Sequence, residues 1–259
     1  MKRKTKILVE RLVSTISAWP TIECISLNEA ATSDTLDPYF ALILDVYFDG
    51  SIPAAEDRAR LYGDDIAAFE TSAQNNKDRF LVGELPVRIE YKAISKVEEL
   101  VSIADSKMDQ LWLIKDSGTY GFYRLAHGEI FFRRSQWIDG IKDRLLRLSD
   151  DFWYQMRDVH QSKMEHFLSD LGAALIQDDD FHYMISAAGF IKNACVVLFC
   201  VNKRFEPSHR GFYEQVKKLA VLPGDFVGRF ESFLRNDPEM TAERKYGLAQ
   251  LIARSVLSI

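Results

Sequence analysis

Three cysteines in 259 residues, Cys24, Cys195 and Cys200, are too few and too unevenly spaced for a disulfide framework. Their spacing matches no zinc site, and they read as small buried hydrophobes. No Pro/Gly-rich linker, low-complexity tract or internal repeat interrupts the chain. The basic start, Met1-Lys-Arg-Lys-Thr-Lys6, lacks the long apolar core of a signal peptide. Ile7–Ile16 is broken by Glu10 and Arg11, and the apolar stretch around Cys195 by Lys192 and Asn202. By this reading nothing reaches the roughly 20 residues of a membrane-spanning helix, and a cytoplasmic protein is expected. The formal net charge of −5 also lacks the basic excess of a nucleic-acid binder.

The composition is 47% hydrophobic and 12% aromatic, which allows real cores in one large domain or two small ones. The most informative stretch is Asp37-Pro-Tyr-Phe-Ala-Leu-Ile-Leu-Asp-Val-Tyr-Phe48. It is a nearly continuous apolar and aromatic run, as in a buried strand. It holds Asp45 inside it and Asp37 before it. An ionised carboxylate there is costly unless paired, solvated or bound to metal. A second strand-like run, Leu85–Lys92, carries Glu90. Carboxylates on neighbouring strands can hold Mg²⁺ against nucleotide phosphates.

Helical spacing covers 6–19, ended by Pro20. Strands are expected at 21–27, 68–72, 79–82 and 87–91, with a short helix at 54–62. Gly83–Pro86 joins the last two strands as a hairpin. Ser95 and Glu98 have the spacing of a capping box for a helix over 95–103. Gln110–Lys115 and Tyr120–Leu125 read as paired strands, followed by another at 130–133. From about Ser135 onward the pattern is helical, and the acidic run Asp178–Asp180 suits a helix N-terminus. The expected organisation is α+β: a mixed sheet with helices over 1–145, then an all-α bundle over 146–259.

This organisation resembles the nucleotidyltransferase superfamily that includes aminoglycoside- and lincosamide-modifying enzymes. Two segments carry the resemblance in the helical half. Ile191–Pro207, with Asn202-Lys-Arg-Phe-Glu-Pro207, looks like a family bundle helix ending in Asn-x-x-Tyr/Phe-x-Pro. Lys218–Phe226 looks like the Leu-Pro step that starts the next helix. The resemblance implies a sheet bearing two or three carboxylates, a bundle over the substrate cleft and Mg²⁺-dependent transfer of NMP from an NTP to a hydroxyl. The implied metal and catalytic residues are Asp37, Asp45 and Glu90, with Glu90 matching the third family carboxylate.

The sequence departs from that pattern in two places. The family's Gly-Ser pair is absent from Ser26-Leu-Asn-Glu-Ala-Ala31, and Tyr39 and Tyr47 stand where a second carboxylate would follow Asp37 or Asp45. Eight residues of regular strand separate those two acids by roughly 26 Å, so only one of them can join Glu90 unless a bulge or bend intervenes. Bland alternatives stand beside these roles. Asp37 can cap a turn, Asp45 can pair with Arg88 or Lys92, Glu90 can be a solvated strand residue, and Glu70 suits the surface. Arg79, Arg88 and Lys92 share the expected sheet and are candidates for triphosphate binding, Arg by bidentate contacts and Lys as a point charge. A nucleotidyltransferase-fold protein that binds or regulates without chemistry is the alternative function. The expected partners are a nucleoside triphosphate with an acceptor and, as assembly, a homodimer; neither membrane nor nucleic acid is expected.

Overall fold

The computed structural model describes residues 3–28, 42–115, 118–235, 237 and 239–259. These form two compact units, one of residues 1–107 with 122–147 and one of 108–121 with 148–259.

The first unit is built on a six-stranded mixed sheet in the order β3-β4-β5-β2-β1-β6. The strands are β1 (Ile22–Asn28), β2 (Leu42–Phe48), β3 (Ile66–Thr71), β4 (Lys77–Val82), β5 (Leu85–Ala93) and β6 (Glu129–Arg133). Four of the five pairings are antiparallel; β2 and β5 alone run parallel. Helices α1 (Arg3–Ser17), α2 (Ala55–Tyr62), α3 (Ile94–Ser106), α5 (Tyr120–His127, from Phe122 onward) and α6 (Trp137–Leu146) belong to this unit, while the single turn α4 (Trp112–Lys115) belongs to the second.

Side chains alternate across a strand, so the pairing register sorts the sheet into two unlike faces. One face carries Ile25, Leu27, Leu42, Leu44, Val46, Phe80, Val87, Ile89 and Tyr91. They pack with the α1 stripe Leu8, Val9, Leu12, Val13 and Ile16. Full burial of each such aliphatic side chain contributes about 1.5–3 kcal/mol. The opposite face collects Lys77, Arg79, Arg88, Glu90, Lys92, Asp45, Ser26 and Asn28 in facing registers. The hydrophobic run of β2 is thus a two-faced strand with one charge.

Two local expectations fail. Residues 110–115 and 120–125 are not a pair of strands; α4 and α5 lie there, and Phe122 and Leu125, three apart, are the buried apolar residues of α5, with Arg124 buried beside them. Ser95 caps nothing. The helix α3 begins at Ile94, preceded by Ala93 without a side-chain cap. Glu98 is already occupied, accepting hydrogen bonds from Trp137 Nε1 at 2.8 Å and from Arg144.

The second unit centres on α7 (Asp150–Gln177) and α8 (Asp180–Val201), followed by α9 (Phe212–Lys217), α10 (Phe226–Leu234) and α11 (Ala242–Leu257). Ser149, Asp179 and Thr241 cap α7, α8 and α11 through their side chains, each accepting a backbone N–H three residues on. Phe190, Ala194, Val197, Leu198, Phe226, Phe230 and Ile252 form the core. Helix α8 corrects the reading that no segment reaches membrane-spanning length: by length and composition it is long and apolar enough, with mean hydropathy 1.9, although 56% of that window is buried. Lys192 and Asn202, read as interruptions, lie on the helix and at its C-cap. All three cysteines are free and buried, and burial pushes the Cys24 and Cys200 thiols up to about 12.

Candidate functional site

Asp45 and Glu90 face each other directly across the parallel β2–β5 pair. Asp37 lies outside the described residues, so the choice between Asp37 and Asp45 rests on Asp45's position beside Glu90.

Asp45 is completely buried. Its Oδ2 accepts from Asn28 Nδ2 at 2.7 Å, Arg124 Nε at 2.9 Å and Tyr47 Oη at 3.4 Å. Its Oδ1 meets Lys92 Nζ at 2.8 Å and Arg124 Nη2. A carboxylate offers about four acceptor positions, so these contacts fill it. Arg124 also reaches Glu90 Oε2 through Nη1 at 2.8 Å, clamping both acids with one guanidinium. Around Glu90 lie Arg88 Nε at 3.2 Å, Lys77 Nζ at 3.7 Å and Lys92 Nζ at 3.9 Å. Burial opposes the Glu90 charge, but Arg124, Lys92, Arg88 and Lys77 outweigh it and hold its pKa below the usual carboxylate value. Lys92 shifts down from the ordinary lysine value. Burial is the main cause, and Asp45 and Glu90 offset it only in part.

Arg124 comes from α5, near that helix's C-terminal end, where a cation is favoured by the helix dipole. The close approach of this segment to β1 needs Gly128. A Cβ there would stand 2.8 Å from the Arg124 carbonyl oxygen and 3.0 Å from Ser26 Oγ. Of the two partners that the sequence offered for a buried Asp45, Arg88 and Lys92, it is Lys92 that pairs with it, while Arg88 lies against Glu90. Arg124 was missed because its helix was read as a strand, and the signal available was the i, i+3 spacing of Phe122 and Leu125.

The remaining candidates spread along the same face. Side-chain exposure rises from 7% at Arg124 through 27% at Lys92 to 32% at Arg88 and 33% at Lys77. Arg79 is exposed, opposite Arg88 on one side and Glu70 on the other. Arg79, Lys77, Glu70, Thr71 and Ser72 line a cavity of about 90 Å³, room for a few waters. Glu70 is a surface residue, as expected.

Among the described residues no group of three His, Cys, Asp or Glu side chains could hold a metal. The acid pair itself does not fit Mg²⁺. The ion needs free carboxylate oxygens at about 2 Å, and Asp45 has none while Arg124 and Lys92 are in place. Glu90 is equally ill-suited as a general base, because an effective base titrates near the working pH and its cations move it the other way.

No protein-family model matches the chain, and no curated protein matches it in sequence. Among solved structures, a nucleotidyltransferase-like protein from Exiguobacterium sibiricum aligns with 96% of this chain and 74% of its own, with TM-score 0.51 and 12% identity. An aminoglycoside 6-adenyltransferase from Bacillus subtilis aligns with 100% of this chain and 91% of its own, but its TM-score of 0.31 and 8% identity carry no argument. The first likeness shows a nucleotidyltransferase-type fold and, at that identity, the fold alone.

Proposed function

We propose that this chain is a nucleotidyltransferase-fold protein that binds a nucleoside triphosphate through its cationic sheet face without Mg²⁺-dependent transfer. The observation that carries this reading is the charge balance of the site. Two carboxylates are surrounded by four cationic side chains, and the most exposed members of the cluster, Lys92, Arg88 and Lys77, are all cations. Arg88 and Arg79 can grip phosphate oxygens bidentately, while Lys77 and Lys92 add point charge. Asp45 and Glu90 then serve to hold Arg124 and Lys92, not a metal. The missing Gly-Ser pair after β1 and the absent second carboxylate support the same reading.

Calorimetric titration of ATP, GTP, CTP and UTP in EDTA tests it. Binding of at least one nucleotide is expected, weakening with salt as phosphate contacts do, and weakened about tenfold or more by Arg88→Ala. Absence of any binding would overturn it.

One observation favours a second reading, a working Mg²⁺-dependent transferase: Asp45 and Glu90 stand in register on adjacent strands. That reading requires Arg124 to leave the carboxylates when metal arrives. Pyrophosphate release from a nucleotide in the presence of Mg²⁺ would establish it.

A further inference from the structure

The second unit holds a cavity of about 320 Å³ lined from α8, α9 and α10. Six of its eight lining residues are apolar or aromatic, and the other two, Lys192 and His209, are basic. The apolar walls are fixed by contacts of their own. Ile191 and Cys195 stand one turn apart on α8, and Phe230 and Leu234 one turn apart on α10, so each pair shares a helix face. Tyr213 of α9 stacks on Phe230, and Phe230 on Phe226, each pair with ring centroids 5.6 Å apart. The Tyr213 hydroxyl donates to Glu231 Oε1 at 2.9 Å, and the Lys217 ammonium lies 4.2 Å from the centre of its ring. Lys217 also pairs with Glu231 and Glu214, so the charges beside this wall are engaged with one another. Lys192 and His209 differ. Both are exposed, and among the described residues neither enters an ion pair. One acid, Glu206, lies near enough for its charge to act on both. It is buried against Gly118, where a Cβ would stand 3.0 Å from its Oε2. That oxygen has no hydrogen-bond partner, and burial pushes the carboxyl pKa up. Glu206 therefore offsets the two basic groups only in part.

We infer that this cavity is a binding site for a small aromatic carboxylate, whose ring system fills the apolar space while its carboxylate meets Lys192 and His209. Ligand sites are mostly apolar spaces with a few polar groups that fix orientation, and they start at about 300 Å³. A space of this size holds about ten carbon atoms, taking each at roughly the volume share of one water, so one or two rings suffice. An aromatic body suits the wall, because a flat ring can extend the Tyr213–Phe230–Phe226 stack in the offset geometry that aromatic pairs prefer. The sign of the head group follows from charge complementarity. Both ionisable lining residues are basic, so an anion gains charge-assisted contacts at the mouth. An ammonium group would be repelled there, and a neutral group would gain the apolar burial alone. None of these residues belongs to the cationic sheet face, so nucleotide binding is not required for it.

Calorimetric titration of 2-naphthoate into the full chain tests this, with 2-naphthamide and 2-naphthylmethylamine as its neutral and cationic counterparts. The carboxylate should bind at one site per chain with a dissociation constant of about 1 mM or below. It should bind about fivefold or more tighter than the amine. Lys192→Glu, at an exposed position with no ion pair to lose, should erase that preference. It should leave binding of the amide, the circular dichroism spectrum and the melting temperature unchanged. Leu234→Trp, which fills the cavity from its half-exposed rim, should abolish binding of all three compounds. No binding of 2-naphthoate at about 5 mM, well above the expected dissociation constant, would overturn the inference. So would an amine that binds as tightly as the carboxylate, a preference that survives Lys192→Glu, or binding that survives Leu234→Trp. A dimer, seen by sedimentation, that closes the cavity to all three compounds would overturn it too.

Discussion

Two arginine–aspartate pairs lie on opposite faces of one sheet, and they differ in what surrounds them. On the apolar face Arg58 grips Asp78 through Nε at 2.8 Å and Nη2 at 2.7 Å. Both side chains are essentially inaccessible. The remaining donors of Arg58 go to the Pro53 carbonyl oxygen at 2.7 Å and Thr71 Oγ1 at 3.1 Å. Tyr62 and Tyr91 donate to Asp78 Oδ2 at 2.6 and 3.1 Å. Burial, with the neighbouring charge of Asp78, drives both phenols well above their ordinary pKa, so they stay neutral donors. This cluster is electrically balanced and closed. The polar-face cluster is also anchored by an arginine on a buried aspartate, but Glu90, Lys92, Arg88 and Lys77 extend it toward solvent with cations in excess. The same kind of ion pair serves structure where its charges cancel in a sealed environment. It can serve binding where they do not cancel and water reaches the surplus.

The difference can be broken most severely at Asp78. Asp78→Ala strands a buried guanidinium and should cost about 3–5 kcal/mol in urea denaturation. The double change Asp78→Leu/Arg58→Met should cost less than the single one, since it removes both charges together. Arg124→Ala comes next, at roughly 3 kcal/mol, because Lys92 remains to compensate Asp45. Unlike the first variant it should gain something: with the acids uncovered, Mn²⁺ binding measured by electron paramagnetic resonance should appear or tighten. Gly128→Ala should cost about 1–3 kcal/mol by overpacking and should weaken nucleotide binding with it, as the segment holding Arg124 moves off β1.

The smallest effect is expected in acid. The folded-state pKa of Glu90 is depressed, so its contribution is fully present above the unfolded value of about 4.3 and is lost as pH falls through the lower folded value. Glu90→Gln should therefore flatten the stability curve in that window and leave its shape at neutral pH unaltered. Denaturation midpoints measured from pH 7 down to pH 3 check this.

The sheet was legible in the sequence because period-two strands leave a strong pattern, and Glu90 stood out because an acid in an apolar run is conspicuous, but its partner was left open between Asp37 and Asp45. The partner of Asp45 was only half legible. Lys92 sits two residues from Glu90 on the same strand, where alternation places it on the same face. Arg124 sits on an eight-residue helix rich in aromatics, Tyr120, Phe122 and Tyr123, too short for its period to outweigh the strand preference of those side chains. The balanced Asp78 cluster was invisible for a similar reason. It joins α2, β4 and β5 through contacts whose sequence separation carries no local signal. The Ser95–Glu98 pair shows the converse, a correct local motif overruled because Trp137 and Arg144 claim the glutamate.

The most direct test of the central claim is a calorimetric titration of ATP into the wild-type chain at fixed ionic strength, once in EDTA and once in excess Mg²⁺. If the acid pair is closed by Arg124 and Lys92, affinity in EDTA will equal or exceed that in Mg²⁺, because the metal only masks phosphate charge. A tenfold or greater tightening with Mg²⁺ would contradict the account and return Asp45 and Glu90 to the role of metal ligands.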